Sequence, residues 1–286
     1  METRVSSVSK EVIIGEGLPT VLIGERINPT GKKRLSRAIE TGDMEIVRKE
    51  ALEQAAAGAN ILDVNVGVPG IDQKTMLPRV VQEVMEIVDV PLCIDTDDIA
   101  ALEAALKVYK GKALVNSVSG EERSLAGVLP LIKDYGAAVI GLVQDDEGAP
   151  TDSDRRVAIA HRIIERAESR NIPREDVIID CLAFAIGADT KSGPVVLDSI
   201  RRIKEELGVN TTMGASNVSF GMPDRDLINS AFIAMVIATG ATSLIVDVAK
   251  VRPIVLAVDL MLGRDPYARR YTQAYRERQK LSQPKN

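Results

Sequence analysis

The 286-residue chain has a net charge of −5, with 45% hydrophobic and 27% charged residues. These values are ordinary for a globular protein, and the length suits either one barrel domain of roughly 250 residues or two smaller domains. The acidic balance and the lack of a basic stripe with interleaved aromatic residues argue against nucleic acid as a partner.

The cysteine and histidine content limits metal chemistry and predicts the compartment. With only Cys93, Cys181 and one histidine, the chain cannot supply a cysteine-rich zinc site. Each cysteine lies in an apolar run, which predicts two reduced and buried thiols. Residues 1–10 are polar and lack the apolar centre of a signal peptide, and no apolar run reaches the length of a membrane span. We therefore expect a cytoplasmic protein that binds no metal of its own.

From residue 21 onward, short apolar runs alternate with longer amphipathic segments. Continuous apolar runs predict parallel strands covered on both faces, here at residues 21–24, 61–64, 92–95, 113–116, 138–141, 177–180, 211–214 and 244–247. The amphipathic segments predict helices at residues 44–57, 74–88, 99–107, 124–135, 153–170, 194–207, 225–239 and 252–262. Asp43 is expected to cap the first of these helices, and Gly58, Gly136 and Gly240 to end the helices that precede them.

Eight strand–helix units in series predict a single-domain α/β fold, the (β/α)8 TIM barrel, with its core at about residues 20–265. A doubly wound sheet is the alternative. It would need a glycine-rich phosphate loop after the first strand, and the segment from Gly24 to Asn28 is not one. The tail at residues 271–286 is polar and predicts a short terminal helix or a surface extension.

Polar side chains follow nearly every predicted strand at its carboxyl end, which is the catalytic face of such a barrel. They are Glu25, Arg26, Asn28, Asp63, Asn65, Asp95, Asn116, Asp180, Ser216, Asn217 and Asp247. Asp and Asn donate and accept hydrogen bonds without reactive chemistry of their own, so together they suit a flat aminopyrimidine such as a pterin ring. Asp63 and Asp247 taken singly could equally be structural anchors, but six or more such residues in register indicate a binding site.

Other chemistries have little support in the sequence. His161 lies in the middle of a predicted helix, which indicates a surface or packing residue rather than the base of a cysteine nucleophile. Lys191 and Lys250 fall in predicted loops, whereas a Schiff-base lysine would lie in a strand near the barrel mouth. A phosphate-binding P-loop is absent.

Several motifs occur in order at the strand ends: residues 23–31 (IGERINPTG), 63–67 (DVNVG), 95–96, 116–117 and 216–219 (SNVS). They resemble the folate-binding module of cobalamin-dependent methionine synthase. Over about residues 20–265 the chain resembles the pterin-binding family, and within it the methyltetrahydrofolate:corrinoid protein methyltransferases. The dihydropteroate synthases of that family usually have an Asn-Val-Thr-Pro-Asp-Ser-Phe-type loop after the first strand, which this chain lacks.

The resemblance implies methyl transfer between N5 of tetrahydrofolate and the cobalt of a corrinoid, with the corrinoid carried by a partner protein and the enzyme a homodimer. It implies that Asp95, Asn116 and Asp180 hold the pterin ring. Asn217 matches the residue that approaches N5, and with Asp95 or Asp180 it is expected to stabilise N5 as that atom gains a proton. Asp95, Asp180 and Asn217 are therefore the predicted catalytic group.

The remaining predicted folate-binding residues, Glu25, Asn65 and Ser219, are expected to support the pocket or line its rim. Phe220 stands where relatives often have a polar residue, which predicts an altered pocket mouth. The acidic stretch at residues 145–154 predicts an insertion or a loop that faces a partner.

Two other functions stay open. A dihydropteroate synthase would use the same pterin pocket, and a folate-binding protein without catalysis would need nothing more than that pocket. The direction of methyl transfer is also open, since one site catalyses both directions and the supply of donor decides.

Overall fold

Residues 1–282, which the computed structural model describes, contain ten strands and ten α-helices. The strands are β1 (Glu2–Ser6), β2 (Glu11–Gly15), β3 (Val21–Ile27), β4 (Ile61–Asn65), β5 (Leu92–Asp95), β6 (Leu114–Ser119), β7 (Ala138–Leu142), β8 (Val177–Asp180), β9 (Asn210–Thr212) and β10 (Ser243–Val246). The helices are α1 (Lys33–Thr41), α2 (Glu45–Ala57), α3 (Gln73–Ile87), α4 (Ile99–Val108), α5 (Glu122–Tyr135), α6 (Ser153–Glu168), α7 (Ser192–Leu207), α8 (Arg225–Thr239), α9 (Val248–Met261) and α10 (Arg269–Ser282).

Eight parallel strands form one sheet in the order β10-β3-β4-β5-β6-β7-β8-β9. The two outer strands of that order also meet, because the Ile245 N–H donates to the Met213 carbonyl just after β9 across 2.9 Å. The sheet therefore closes, and α2 to α9 pack around it. This confirms the predicted (β/α)8 barrel and excludes the doubly wound sheet.

Apolar side chains fill the barrel on both sides of its wall. Alternate strand residues point inward and form a small cluster that includes Ile61, Cys93, Leu114 and Ile178. The residues between them point outward and pack against the helices. Both cysteines are free and buried, as predicted. Within residues 1–282, every helix falls short of the length and apolarity that a membrane span requires.

The amino-terminal segment, expected to be merely polar, forms an antiparallel hairpin of β1 and β2 that packs against the barrel. Val5 and Ile14 are fully buried in the interior cluster. The Asn210 amide, at the start of β9, donates to the Ile14 carbonyl across 2.9 Å. The hairpin thus covers the amino-terminal end of the barrel and leaves the opposite end to form the site.

All eight predicted strands and helices are present, with shifted ends. The seventh predicted strand lies at β9, which ends two residues earlier, and the last predicted helix begins earlier, at Val248. Helix α2 begins after Met44 rather than Asp43, although the Asp43 carboxylate still accepts the Glu45 N–H at 3.0 Å. Helix α1 was not predicted. The predicted polar tail falls on α10 up to Ser282, and residues 283–286 lie outside the described residues.

Candidate active site

Three of the predicted residues lie side by side at the carboxyl ends of adjacent strands. The strand register pairs Asn65 on β4 with Asp95 on β5, and Asp95 with Asn116 on β6. Asp95 and Asn116 each lie two residues beyond an inward-facing residue of the same strand, Cys93 and Leu114, so their side chains point into the barrel mouth as well. Asn28, in the loop after β3, donates from its amide to Asp95 Oδ2 at 3.5 Å.

Asp63 lies one inward position deeper on β4 and connects this group. It is 2% exposed, and Asn116 Nδ2 donates to its Oδ1 across 3.2 Å. Burial raises the pKa of Asp63 well above its usual range, and the adjacent Asp95 carboxylate raises it further. Burial also raises the pKa of Asp95 to about 6, opposed by hydrogen bonds from Asn65 and Asp63. Burial and the neighbouring carboxylate therefore favour the protonated form of Asp63 more strongly than that of Asp95.

Asp180 ends β8 on the other side of the mouth. Register pairs it with Leu142 on β7 and Thr212 on β9, and it is 7% exposed. Burial raises its pKa to about 6, although the Leu182 N–H, which donates at 2.8 Å, and the nearby Arg156 both favour the ionised form. Asp180 is thus a second carboxyl group at the mouth whose pKa lies only slightly below neutral pH.

Arg156 on α6 holds the segment that carries Asp180. Its side chain is fully buried, and Nη1 donates to the Cys181 and Leu182 carbonyls at 2.7 and 2.8 Å, while Nε donates to the Pro150 carbonyl at 3.0 Å. Its guanidinium lies 5.1 Å from the centre of the Phe184 ring. Burial lowers the pKa of Arg156, but an arginine retains its charge under these conditions. This support for Asp180 was not predicted from the sequence.

The opposite rim of the mouth is formed by the loop after β9 and the end of β3. The Ser216 hydroxyl donates to Glu25 Oε1 at 3.2 Å. Burial raises the pKa of Glu25. Glu25 sits in a bulge of β3, where Gln54 Oε1 accepts the Arg26 N–H, and a Cβ at the preceding Gly24 would lie 2.4 Å from that oxygen. Glycine at residue 24 therefore allows the close approach that shapes this rim.

Asn217 and Ser219 share the short 3-10 helix Ala215–Ser219 but differ in accessibility. Asn217 is exposed, and its amide lies over Gly214. Ser219 is fully buried, its hydroxyl accepts from Arg225 Nε at 2.9 Å, and it donates to the Ser216 carbonyl at 3.3 Å. Asn217 is therefore placed to meet a ligand, whereas Ser219 stabilises the loop that presents it.

The predicted ring divides into two groups. Asp95 and Asn116 line a cavity of about 380 Å³ together with Thr96, Ser117, Arg123 and Gln144. Glu25, Ser216 and Asp247 line another of about 360 Å³ between α8 and α9. Neither cavity is lined by Asp180 or Asn217, which lie on the strands and loop between the two groups. The structure thus places all the predicted residues at one mouth but does not join them in one hydrogen-bonded set.

The structure shows where Phe220 and the acidic stretch at residues 145–154 lie, two features whose role the sequence left open. Phe220 is 71% exposed, with the Arg225 guanidinium 6.0 Å from the centre of its ring. The acidic stretch at 145–154 forms most of the loop between β7 and α6 and the first two residues of α6, and Arg155 Nη2 pairs with Asp145 at 2.6 Å and with Glu147 at 2.9 Å. His161 contacts Glu206 at 3.3 Å on the outer helices, which agrees with a surface residue.

The fold and the site together define the class of protein. It is an eight-stranded parallel barrel with Asp and Asn side chains at the carboxyl ends of its strands. A family model described as pterin binding enzyme matches residues 24–247, and the chain belongs to this family. A methylcorrinoid:tetrahydrofolate methyltransferase of Eubacterium limosum is 32% identical over 267 residues, which cover 90% of this chain and 96% of that protein. A methionine synthase of Mycobacterium leprae (strain TN) is 29% identical over 266 residues, 88% of this chain but 22% of that longer protein.

Solved structures of dihydropteroate synthases share the fold. The Yersinia pestis protein with a pterine-sulfa conjugate superposes with a TM-score of 0.70 at 17% identity, over 91% of this chain and 99% of that one. The Xanthomonas albilineans protein in complex with 7,8-dihydropteroate gives a TM-score of 0.67 at 20% identity, over 91% and 98%. At these identities the likeness establishes the fold and nothing further.

Proposed function

We propose that this protein transfers a methyl group between N5 of tetrahydrofolate and the cobalt of a corrinoid carried by a partner protein. The observation that carries the proposal is the pairing of Asp95 and Asn116 on adjacent strands, held from below by Asp63. The name of the relative from Eubacterium limosum supports the choice of this reaction within the family, because that protein aligns over nearly its whole length.

The pterin ring is bound by its aminopyrimidine edge. Ionised Asp95 and Asp180 accept hydrogen bonds from its 2-amino group and N3–H, and the Asn116 amide matches the mixed donor and acceptor edge. Both carboxylates have a pKa of about 6, so they are ionised at neutral pH without strong pairing to a cation that would compete with the ligand. Asn65 and the buried Asp63 fix Asp95 for this contact.

Asn217 is the catalytic residue of the proposal. When the methyl group leaves N5, the N5–carbon bond breaks, the cobalt–carbon bond forms, and N5 keeps the electron pair and takes up a proton. In the reverse direction, N5 supplies the pair that displaces the cobalt. A polar group whose interaction with N5 strengthens as this charge develops lowers the barrier in both directions. Asn217 is exposed at the mouth, so a large corrinoid ring can approach the same side.

Anaerobic absorption spectroscopy tests the function directly. The protein is mixed with cob(I)alamin and methyltetrahydrofolate, and in a second sample with methylcobalamin and tetrahydrofolate. Conversion between the two cobalamin spectra in either sample supports the proposal. Tight folate binding without conversion would indicate a non-catalytic folate-binding protein. Pyrophosphate release from a dihydropterin pyrophosphate and p-aminobenzoate would instead establish a synthase.

We also propose that the enzyme is a homodimer formed through α8 and α9. These helices leave a shallow apolar groove lined by Ala234, Ala238, Ile254, Ala257, Met261 and Leu262. Met235 and Met261, one on each helix, are among the large apolar side chains exposed to solvent. An apolar surface of this kind favours association with a matching surface, and a twofold axis would supply one.

The cytoplasm is the proposed location. Cys93 and Cys181 are both free and buried, and neither is within a disulfide in the described residues. Free thiols in apolar surroundings are typical of proteins in a reducing compartment.

A further inference from the structure

A wide groove of about 670 Å³ opens between the loop after β3, the start of α1 and the first turns of α2. Its basic residues are Arg26, Lys32, Lys33, Arg34 and Lys49, and we call it the basic groove. Three acidic residues, Glu25, Glu50 and Asp247, also line it, and through Glu25 and Asp247 the groove continues from the rim of the barrel mouth. In a chain of net charge −5, a concentration of cations beside the mouth is unusual.

Much of this positive charge is not neutralised by acidic side chains. Arg26 is paired, because its Nε and Nη2 donate to Glu50 at 2.5 and 2.9 Å. Lys32 instead donates from Nζ to the backbone carbonyls of Glu25 and Arg26 at 3.3 and 3.0 Å. Lys33 and Arg34 are exposed and form no ion pair with any carboxylate of residues 1–282. Lys33 and Arg34 therefore face the groove without a carboxylate partner, whereas Lys32 also lies in the field of Glu25, Glu50 and Asp247.

The start of α1 adds to the same potential. Its first turn contains no acidic residue, and no side chain of the described chain caps it. The first N–H groups of a helix lack partners within the helix, and the helix dipole makes this end positive. Lys33, Arg34 and Leu35 form this first turn and line the groove. The backbone and the side chains of this first turn therefore both favour a negatively charged ligand.

The proposed pterin orientation directs one end of the substrate toward this groove. The ring is held by its 2-amino side against β5, β6 and β8. The C6 substituent of a pterin lies across the ring from the 2-amino group and next to N5. With N5 at Asn217 in this orientation, C6 would face the side of the mouth where Ser216 donates to Glu25, and Glu25 also lines the basic groove. The p-aminobenzoyl-glutamate tail attached to C6 therefore leaves the mouth beside the basic groove.

We propose that the basic groove binds the glutamate carboxylates of the folate tail, and that the enzyme consequently prefers folates extended by further γ-linked glutamates. The inference rests on the proposed function, in which folate is the substrate. The cavity between α8 and α9 is the other exit past Glu25. It offers two basic residues, Arg225 and Lys250, against three acidic ones, whereas the basic groove offers five against three, so the cavity is the less favourable place for a carboxylate chain.

Equilibrium binding of tetrahydrofolate with one or with three glutamates tests the proposal, at ionic strengths of roughly 0.05 and 0.5 M. The parent is expected to bind the triglutamate about tenfold more tightly at low salt, with a smaller preference at high salt. The double variant Lys33→Glu/Arg34→Glu should reduce the preference to below about twofold. The control Lys110→Glu/Lys280→Glu makes the same charge change at exposed lysines outside the groove and should keep the preference.

Methyl transfer to cob(I)alamin with the same folates separates the two proposals. If the parent transfers the methyl group but binds the monoglutamate and the triglutamate with equal affinity, the groove assignment is wrong and the proposed function stands. If the parent binds the triglutamate more tightly but transfers no methyl group, the groove assignment stands and the proposed function is wrong. If the groove variant instead impaired transfer only with a protein-bound corrinoid, and kept its tail preference, the groove would belong to the partner protein and the tail proposal would be wrong.

Discussion

The side-chain amide of Asn116 donates to Asp63 Oδ1 across 3.2 Å, so a residue proposed to bind the pterin is itself held by a buried acid. This bond fixes the amide, which leaves the Asn116 carbonyl oxygen and its second N–H directed elsewhere. Asp63 also touches Asp95, whose carboxylate it supports by a hydrogen bond. A protonated Asp63 can make both contacts at once, because it has one donor for Asp95 and an acceptor for Asn116.

Asp63→Asn should therefore be tolerated and Asp63→Ala should not. An asparagine reproduces one donor and one acceptor, so folate affinity should stay within about threefold of the parent. In Asp63→Ala the Asn116 amide loses its partner inside the barrel, which costs about 1–3 kcal/mol in the free energy of unfolding. Folate affinity should fall by about tenfold or more, since that amide is then free to turn. Urea denaturation and folate titration measure the two effects. Equal losses in the two variants would show that Asp63 needs its charge.

Asp180 makes stability depend on pH in a defined direction. Its pKa is raised from 3.8 to about 6 in the folded state, so the folded protein binds the proton more tightly than the unfolded chain does. The associated stabilisation is complete below about pH 4 and is lost as the pH rises through 6, by about 3 kcal/mol in total. Asp180→Asn removes the buried charge and still accepts the Leu182 N–H. The variant should thus be more stable than the parent at pH 7.5 and nearly equal to it at pH 4.

Folate binding should show the opposite trend. The parent carboxylates must be ionised to accept the pterin N–H groups, so affinity should rise as the pH increases through about 6. Asp180→Asn should bind folate weakly at every pH. Denaturation curves and folate titrations at matched pH values test both trends together. An Asp180→Asn variant that is less stable than the parent at pH 7.5 would contradict the argument.

Arg156 is proposed as a positioning residue for Asp180. Arg156→Met fills a similar volume but leaves the Cys181, Leu182 and Pro150 carbonyls without their donor, which should destabilise the fold by about 2–4 kcal/mol. It also removes the positive charge that lowers the pKa of Asp180. The pH midpoint of folate binding should therefore move upward.

Arg156→Lys separates charge from geometry. The ammonium keeps the charge but cannot serve three carbonyls with the same planar group, so stability should fall while the pH midpoint stays near that of the parent. Folate titrations over pH 5–8 provide the readout. A purely structural residue would lower stability in both variants and leave the midpoint unchanged in both.

The apolar face of α8 and α9 predicts the oligomeric state. Met261 is 85% exposed, and Met261→Glu places a charge in the proposed dimer interface. The parent should have twice the chain mass of 30.9 kDa by light scattering, and the variant should have the mass of one chain. Leu52→Glu, at an exposed apolar residue on α2, is the matched control and should remain dimeric. A monomeric parent would refute the proposed interface.

The barrel and the position of its mouth were readable from the sequence because strand period, helix period and strand-end polarity all agreed. Continuous apolar runs predict strands buried on both faces, which is the pattern that the strands of parallel sheets show. That places Asp95, Asn116 and Asp180 at one end without knowledge of any contact. The hairpin of β1 and β2 was missed because it buries only a few residues, among them Val5 and Ile14. Its alternating pattern is too short to stand out.

Arg156 and Asp63 were harder to read for a different reason. An arginine in an amphipathic helix is normally exposed, and only the three carbonyls brought by another part of the chain make its burial possible. The role of Asp63 likewise depends on Asn116, fifty-three residues away. The basic groove combines a loop, a helix start and a second helix, and the sequence alone does not show that Lys49 lies near Lys33.

Asn217→Ala should separate binding from catalysis. The amide is exposed and contributes a contact whose strength grows as N5 gains charge, so its loss should slow methyl transfer by about 10²–10³-fold. Folate binding should weaken far less, because the ring is held mainly by Asp95, Asn116 and Asp180. Stopped-flow spectroscopy with cob(I)alamin gives the rate, and a folate titration gives the affinity.

The surroundings of Asn217 allow the rate and the folate affinity of the variant to be compared without a change in the fold. No hydrogen bond within residues 1–282 uses its side-chain amide, and the neighbouring loop is fixed independently by Ser219 and Arg225. Truncation should therefore leave the loop in place and the free energy of unfolding within about 0.5 kcal/mol of the parent. Asn217→Gln keeps the amide but displaces it by one methylene, so it should recover folate affinity without recovering the rate. A parental rate in Asn217→Ala would remove this residue from the mechanism.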